Sequence, residues 1–211
     1  MIRVLLVDDH AVVRTGFRLL LQARADIAVV GEADSGETAC QRYLELSPDV
    51  VVMDIAMPGM GGIEALRRIR AHDPQARVLA LSAHDDPMHA RRALREGALG
   101  FLSKRSAPET LLEAVSGVGS GQRYIDPRVA QRLALEDIGG AESSPIKRLS
   151  EREFEVFLRL ARGASVQRIA DDLRLSASTV GTHLYNVKQK LGVSNQSELT
   201  LLAIRHGLIE A

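Results

Sequence analysis

The chain has 211 residues, of which 45% are hydrophobic and 26% charged, a composition that supports packed cores and excludes a disordered chain. Acidic and basic residues balance overall, but residues 1–120 carry a net charge of −2 and residues 147–211 one of +3, which favours two modules, the second facing nucleic acid. The single cysteine, Cys40, excludes an internal disulfide, and the lack of a signal segment or an apolar run near ~20 residues predicts a cytoplasmic protein without a membrane span.

Short β-branched runs alternate with amphipathic segments over the first 120 residues. Strands are predicted near residues 3–7, 28–33, 50–53, 77–81 and 100–103, and helices beginning near Ala11, Gly36, Gly62, Pro87 and Pro108. Repeated βα units of this kind predict an α/β fold, a doubly wound, flavodoxin-like parallel sheet of five strands. Strand order 2-1-3-4-5 would place the first and third strands side by side.

The pattern loosens after residue 120. A short helix is predicted over residues 127–135, and a flexible linker is indicated by Gly139, Gly140, Ser143, Ser144 and Pro145. These features divide the chain into a domain over residues 1–120, a linker over 121–146 and a second domain over 147–211.

Every periodic segment from Leu149 onward is helical. Ser150 and Glu153 form a capping-box pattern at the start of the first helix, and serines also precede the next three helices, at Ser165, Ser176 and Ser194. Only a few residues join the two middle helices. The pattern predicts a small all-α domain of four helices that contains a helix-turn-helix.

Three apolar runs end in charged residues. Asp8 and Asp9 follow the first predicted strand, Asp54 follows the third, and Lys104 follows the fifth. The carboxyl ends of parallel strands meet at one edge of the sheet, so these groups are expected to share a pocket. Clustered carboxylates are tolerated next to a cation, and Mg²⁺ prefers oxygen ligands.

A pocket of this composition suits phosphoryl chemistry. The Asp54 carboxylate could attack a phosphoryl donor while Mg²⁺ and Lys104 neutralise the transferring oxygens. Ser82, at the end of the fourth strand, could offer a hydroxyl to the new phosphate. A single Asp or Lys after a strand is more often a turn or solvated residue, but chance explains the whole set poorly.

The first 120 residues resemble the receiver domain of bacterial two-component response regulators. The resemblance rests on VDDH at residues 7–10, MDIAMPG at 53–59, LSA at 81–83 and GFLSK at 100–104. It implies that a sensor histidine kinase phosphorylates Asp54. It further implies a Mg²⁺ site made of Asp8, Asp9, Asp54 and the Ala56 carbonyl, in which Asp9 binds directly and Asp8 through water. Ser82 and Phe101 would form a switch pair.

One residue departs from the receiver pattern. Arg105 stands where many receivers have proline, so no cis peptide bond is expected after Lys104.

The third helix of the second domain has two contrasting faces. Val180, Leu184, Val187 and Leu191 form a stripe that should face the core. The opposite face carries Ser178, Thr182, Tyr185, Asn186 and Gln189, flanked by Lys188 and Lys190. No acidic residue occurs from 173 to 197, and such a face fits base edges in a major groove. On this helix alone, an ordinary solvated face is the favoured alternative.

Residues 149–208 as a whole resemble the LuxR-type DNA-binding domain of the NarL/FixJ family. The match lies in LSERE at 149–153, IA at 169–170, STV at 178–180, His183 and KLGV at 190–193. It implies a DNA-binding set of Ser178, Thr179, Gly181, Thr182, Tyr185 and Lys188, and a last helix that supplies a dimer contact. Segments 121–125 and 203–208 resemble the GacA/UvrY branch. Gly181 departs from the lysine common at its position.

The combined interpretation is a transcription regulator that binds promoter half-sites as a homodimer when phosphorylated, and not an enzyme. A phosphatase or mutase using an aspartyl phosphate usually needs a second Asp two residues after the nucleophile, where this chain has Ala56. A second alternative is a DNA-binding protein that ignores phosphorylation and is controlled by binding a ligand or partner. The complete set of Asp9, Asp54, Ser82 and Lys104 argues against it.

Overall fold

A computed structural model describes residues 1–83, 87–106, 108–138, 145–206 and 208–209, with side chains at 136–138, 147 and 151 outside that description. The chain divides into two compact units, Met1–Leu135 and Glu136–Ala211. Among the described residues, no helix is both long and apolar enough to cross a membrane. The first unit extends past residue 120, and the domain limits drawn from the sequence stay a prediction.

The first unit is built on a parallel sheet with strand order β2-β1-β3-β4-β5-β6. Its strands are β1 (Ile2–Val7), β2 (Ile27–Ala33), β3 (Val50–Asp54), β4 (Val78–Ser82), β5 (Gly100–Ser103) and β6 (Tyr124–Ile125). The predicted parallel α/β fold is confirmed, with the first and third strands adjacent. The sheet has one strand more than the five predicted, because β6 is only two residues long and lacks the apolar run that marks a strand in a sequence.

Helices cover both faces of this sheet, as a doubly wound fold requires. They are α1 (Ala11–Gln22), α2 (Gly36–Leu46), α3 (Gly62–His72), α4 (Pro87–Arg95) and α5 (Pro108–Gly119), each beginning at its predicted residue. Alternate residues of β1 point to opposite faces, so Val4 and Leu6 join the apolar cluster of α1 and α5. Leu5 and Val7 join that of α2, α3 and α4.

The segment after α5 packs on the edge of the sheet. Ile125 of β6 pairs with Phe101 of β5, and the Asp126 N–H donates to the Phe101 carbonyl. A sixth helix, α6 (Pro127–Ile138), follows and contains the short helix predicted over 127–135. Its Val129 is buried in the same apolar cluster as Phe101. The predicted linker residues 139–144 lie outside the described residues.

Within the part of the second unit that the structure describes after α6, there are a 3-10 helix (Pro145–Arg148) and four α-helices: α7 (Glu151–Ala161), α8 (Val166–Leu173), α9 (Ala177–Leu191) and α10 (Gln196–Arg205). The Ser150 capping box is present, and Ser165 and Ser176 cap α8 and α9 as predicted. The fourth predicted cap is wrong, because the Asn195 side chain accepts the Glu198 N–H at the start of α10. Ser194 instead donates its backbone N–H to the Glu198 carboxylate.

Candidate functional sites

The acidic pocket lies where β1 and β3 end side by side. Val7 of β1 is in register with Met53 of β3, which brings the next residues, Asp8 and Asp54, to the same edge of the sheet. Ligand atoms of Asp8, Asp9, His10 and Asp54 all lie within 4.8 Å of one another. Asp8 is fully buried and Asp54 is 2% exposed, so the pocket holds two carboxylates that are almost removed from water.

Lys104 joins these two buried carboxylates. Its Nζ lies 2.6 Å from Asp8 Oδ2 and 2.7 Å from Asp54 Oδ2, and its side chain is 12% exposed. The backbone of Lys104 is held in position because its N–H donates to the Ser82 carbonyl at the end of β4. Without a cation at this position, two carboxylates this close would repel each other strongly.

Burial and pairing act in opposite directions on these groups. Burial raises the pKa of the Asp54 carboxyl above its usual range, although the Lys104 ammonium and the Ala56 N–H both favour the charged form. Burial alone would lower the pKa of Lys104, but the carboxylates of Asp54 and Asp8 outweigh it and raise the pKa. The lysine is therefore charged at neutral pH.

The donor set fits a hard divalent cation. Asp9 Oδ1 and Asp8 Oδ2 are buried oxygens that accept no hydrogen bond of good geometry within the described residues. Asp9 Oδ1 lies 2.9 Å from His10 Nδ1, and Asp8 Oδ2 lies 2.6 Å from the ammonium nitrogen of Lys104. Oxygens buried with unused acceptor capacity, close to a third carboxylate, are the ligands that Mg²⁺ prefers.

The remaining predicted receiver residues surround this pocket. Ala56 follows Asp54 in the loop after β3, and its N–H donates to Asp54 Oδ1 at 3.0 Å. Ser82 and Phe101, the predicted switch pair, lie on adjacent strands and are both fully buried. No cis peptide occurs in the described residues, and the Arg105 N–H donates to Ser103 Oγ, a bond that proline could not make.

A glycine holds the pocket loop in place. A side chain at Gly62, the first residue of α3, would put its Cβ 2.0 Å from the Asp54 carbonyl oxygen. The backbone of α3 can approach the end of β3 this closely only without a Cβ. Gly62 was predicted as the start of a helix, but its close approach to the Asp54 backbone was missed.

The recognition-helix candidate, α9, presents its predicted faces. Val180, Val187 and Leu191 are buried, whereas Leu184 is only partly buried. Among the predicted DNA contacts, Ser178, Thr179 and Thr182 are exposed, Tyr185 is 64% exposed, and Gly181 and Lys188 are intermediate. A Cβ at Gly181 would meet nothing within 4 Å. The hydroxyl-rich face is therefore open, with space for a side chain at Gly181.

The two lysines of α9 are bound within their own domain. Lys188 Nζ donates to the Ser194 carbonyl at 2.8 Å, and Lys190 Nζ donates to Glu153 Oε2 at 2.5 Å. Burial lowers the pKa of His183, so this imidazole is neutral at pH 7. No spacing in the sequence indicates the Lys190–Glu153 pair, because these two residues are far apart in the chain.

Comparison with known proteins identifies the family. The family model of the response regulator receiver domain matches residues 4–116, and that of bacterial regulatory proteins of the luxR family matches residues 147–203. Response regulator GacA of Pseudomonas viridiflava is 43% identical over 212 residues, covering 100% of this chain and 99% of that protein. The chain belongs to the response regulators.

Two further proteins support this assignment to the response regulators. Response regulator UvrY of Escherichia coli (strain K12) is 42% identical over 212 residues, covering 100% of this chain and 97% of that protein. RcsB from Salmonella enterica serovar Typhimurium, solved bound to promoter P1flhDC in the presence of phosphomimetic BeF3-, matches at 28% identity with a TM-score of 0.67. That match covers 95% of this chain and 97% of RcsB.

This response regulator is a phosphorylation-dependent transcription regulator with a receiver domain and a LuxR-type DNA-binding domain. The predicted resemblance to receivers, to the LuxR-type domain and to the GacA/UvrY branch is confirmed. The roles assigned to individual residues stay predictions.

Proposed function

We propose that Asp54 accepts the phosphoryl group and that a sensor histidine kinase supplies it. The observation that carries this proposal is the pairing of two nearly water-free carboxylates, Asp8 and Asp54, with one ammonium group, that of Lys104. A structural role alone would not explain it, since apolar residues of similar volume usually stabilise an interior as well as a buried ion pair does.

The transfer step is an in-line displacement at phosphorus. A carboxylate oxygen of Asp54 forms the new O–P bond as the N–P bond of a phosphohistidine breaks, and the histidine ring leaves with that electron pair and takes up a proton. Lys104, already 2.7 Å from Asp54, is close enough to neutralise an oxygen of the incoming phosphoryl group. The product is an aspartyl phosphate.

Asp8, Asp9, Asp54 and the Ala56 carbonyl would hold the cation, which we propose to be Mg²⁺. When bound, the ion offsets negative charge on the phosphoryl oxygens during transfer. The chain's own contribution is orientation: the Ala56 N–H holds Asp54 Oδ1 at 3.0 Å, and the His10 N–H holds Asp8 Oδ1 at 2.9 Å. His10 Nδ1, 2.9 Å from Asp9, must give way or turn if Asp9 binds the cation directly.

The switch pair, Ser82 and Phe101, would couple phosphorylation of the receiver to DNA binding. Ser82 would bind the new phosphate and Phe101 would repack, and the resulting change in the receiver surface would allow two chains to pair on promoter half-sites. Ser178, Thr179, Gly181, Thr182 and Tyr185 would read bases, and Lys188 would contact phosphate. The promoter-bound RcsB structure, with its phosphomimetic, supports this sequence of events. Because it would bind promoter DNA, we propose that the protein acts in the cytoplasm.

The proposal is tested by phosphorylating purified full-length protein with phosphoramidate, a small phosphoryl donor, in the presence of Mg²⁺. Asp54→Asn should abolish incorporation of a hydroxylamine-labile phosphoryl group, measured by intact mass spectrometry. Asp26→Asn, which alters an exposed carboxylate, should incorporate it normally. Full incorporation into the Asp54→Asn protein would refute the assignment of Asp54.

A second measurement separates the regulator from a DNA-binding protein that ignores phosphorylation. Selection from a random duplex DNA library, with and without phosphoramidate, should enrich an inverted repeat more strongly for the phosphorylated protein. Equal enrichment in both arms would favour the indifferent DNA-binding protein.

A further inference from the structure

Arg14 links the acidic pocket to the neighbouring helix and strand. From the first half of α1, its Nη1 donates to the Asp8 carbonyl at 2.6 Å and its Nε donates to Glu32 Oε2 on β2 at 2.9 Å. The side chain is 19% exposed. One guanidinium therefore connects α1, β2 and the turn that carries Asp8 and Asp9.

Arg18 gives a natural comparison one helical turn later. Its Nε lies 3.1 Å from Glu32 Oε1, so both arginines pair with the same carboxylate. Within the described residues, only the Arg14 side chain donates to the Asp8 carbonyl. The two residues thus share the ion pair and differ in their contact with the pocket turn.

The pocket turn has no side-chain cap where α1 begins. The His10 side chain, at the N-cap of α1, makes no capping hydrogen bond, and the first turn of α1 has no acidic residue. Asp8 also carries a buried carboxylate that must point at both the His10 N–H and Lys104. Because Asp8 and Asp9 lie between β1 and α1, a shift of that turn would move both carboxylates together.

We infer that Arg14 is a positioning residue for the cation site, acting through the Asp8 carbonyl. The inference rests on the proposed function, since it takes Asp8 and Asp9 as cation ligands. The planar guanidinium can donate two hydrogen bonds in fixed directions at once, to the Asp8 carbonyl and to Glu32, which a single ammonium does less well. Partners that orient metal ligands typically contribute about tenfold or more to metal affinity.

The test measures Mg²⁺ binding directly, by isothermal titration calorimetry on full-length protein without a phosphoryl donor. Arg14→Ala should weaken Mg²⁺ binding by about tenfold. Arg18→Ala, which disturbs the same Glu32 ion pair, should change it by less than about twofold. Arg14→Lys should recover part of the lost affinity, because an ammonium can still donate to the Asp8 carbonyl.

Phosphorylation by phosphoramidate provides the second readout. Arg14→Ala should raise the Mg²⁺ concentration for half-maximal labelling while leaving the rate at saturating Mg²⁺ within about twofold of the parent protein, an effect confined to cation binding. Thermal unfolding of each variant shows whether a general loss of stability accompanies it.

The outcomes separate this inference from the proposed function. If the unaltered protein does not bind Mg²⁺, the proposed cation site is wrong and the inference with it. If the unaltered protein binds Mg²⁺ and Arg14→Ala matches Arg18→Ala, the cation site stands and the positioning role of Arg14 is refuted. A lower unfolding temperature with unchanged Mg²⁺ affinity would also refute it.

Discussion

The two candidate sites of this response regulator treat charge in opposite ways. In the acidic pocket, Asp8 and Asp54 are buried, and the partly buried Lys104 lies at ion-pair distance from both. On α9, the recognition-helix candidate, the open face carries hydroxyls and the exposed Tyr185, while Lys188 and Lys190 donate to groups of their own domain. The first site concentrates charge away from water, and the second leaves little free charge at its surface.

This difference is related to what each site must recognise. A phosphoryl group is small and highly charged, so recognition needs fixed charges in a medium of low dielectric constant. A DNA sequence is read by hydrogen bonds and apolar contacts at base edges, and free cations add affinity that does not depend on sequence. A recognition helix with bound lysines and Gly181 should therefore rely on base contacts more than on phosphate contacts.

The largest effect should come from removing the Lys104 ammonium from the acidic pocket. Lys104→Met leaves Asp8 and Asp54 buried without their ammonium, and should lower the free energy of unfolding of the receiver by about 3 kcal/mol at pH 7. Denaturant unfolding in the presence of a metal chelator measures this change in the free energy of unfolding. Arg105→Met, an exposed neighbour, should change stability by less than about 0.5 kcal/mol.

The same variant has a defined pH dependence. Burial raises the pKa of Asp54 in the folded protein, so the folded state takes up a proton more readily than the unfolded chain as pH falls. Protonation relieves the unpaired charge, and the stability deficit of Lys104→Met should shrink between pH 7 and pH 5. A deficit that grows over this range would contradict the buried-charge explanation.

The next effect concerns the backbone behind the pocket. Gly62→Ala places a Cβ 2.0 Å from the Asp54 carbonyl oxygen and should lower the free energy of unfolding by about 2 kcal/mol. Gly16→Ala is the matched control, because a Cβ at this position within α1 meets nothing within 4 Å. It should raise stability by up to about 1 kcal/mol. Equal changes in thermal unfolding would show that α3 can move away from β3 at little cost.

A lysine at position 181 tests the DNA side of the comparison. Gly181→Lys adds a cation in open space on α9 and should tighten binding to a labelled duplex about tenfold at low salt, measured by fluorescence anisotropy. It should also steepen the dependence on log salt concentration by about one unit, as one more phosphate contact predicts. Gly117→Lys, which adds the same charge at an open position on α5, should leave that slope unchanged. A matching change in both variants would indicate an effect of net charge alone.

The smallest effect on stability should come from breaking the ion pair between Lys190 and Glu153. Burial would raise the pKa of Glu153, but hydrogen bonds from Lys190 and Ser150 outweigh burial and lower it. The ionised carboxylate therefore stabilises the folded state above the unfolded pKa of 4.5, and this stabilisation is lost as pH falls through the lowered pKa of the folded protein. Glu153→Gln keeps the capping pattern and should cost less than about 1 kcal/mol. Glu153→Ala also removes the cap and should cost about 1 kcal/mol more. Hydrogen exchange in α7 measures the loss of stability in both variants. Equal losses would show that the capping hydrogen bond contributes nothing.

Sequence periodicity predicted most of this fold because its strongest signals are local. Apolar runs located the first five strands, and proline, glycine and serine located the helix starts. The fourth cap was assigned to the wrong residue because Ser194 and Asn195 both have side chains that can accept an N–H, and only backbone geometry selects Asn195. The strand β6 was missed because it is stabilised by pairing with β5, which leaves no pattern in its own two residues.

The acidic pocket was predictable because parallel strands bring their carboxyl ends to one edge. What the sequence could not show is how side chains share partners across the fold. Lys104 was expected to face a phosphoryl group, yet it also holds Asp8 and Asp54 together. Lys188 was expected at a DNA phosphate, yet its Nζ contacts the Ser194 carbonyl. Such pairings depend on three-dimensional distances that no spacing in the chain encodes.

The two-residue strand β6 matters for anyone who wants the receiver as a separate protein. Cutting the chain at residue 120 would remove Ile125 from beside Phe101 and Val129 from the cluster that Phe101 joins. The outer backbone groups of β5 would then lose their hydrogen-bond partners. An unpaired sheet edge can pair with strands of other molecules and so promotes aggregation. A receiver ending at Leu135 keeps that edge covered and should remain monodisperse at concentrations where the shorter fragment aggregates.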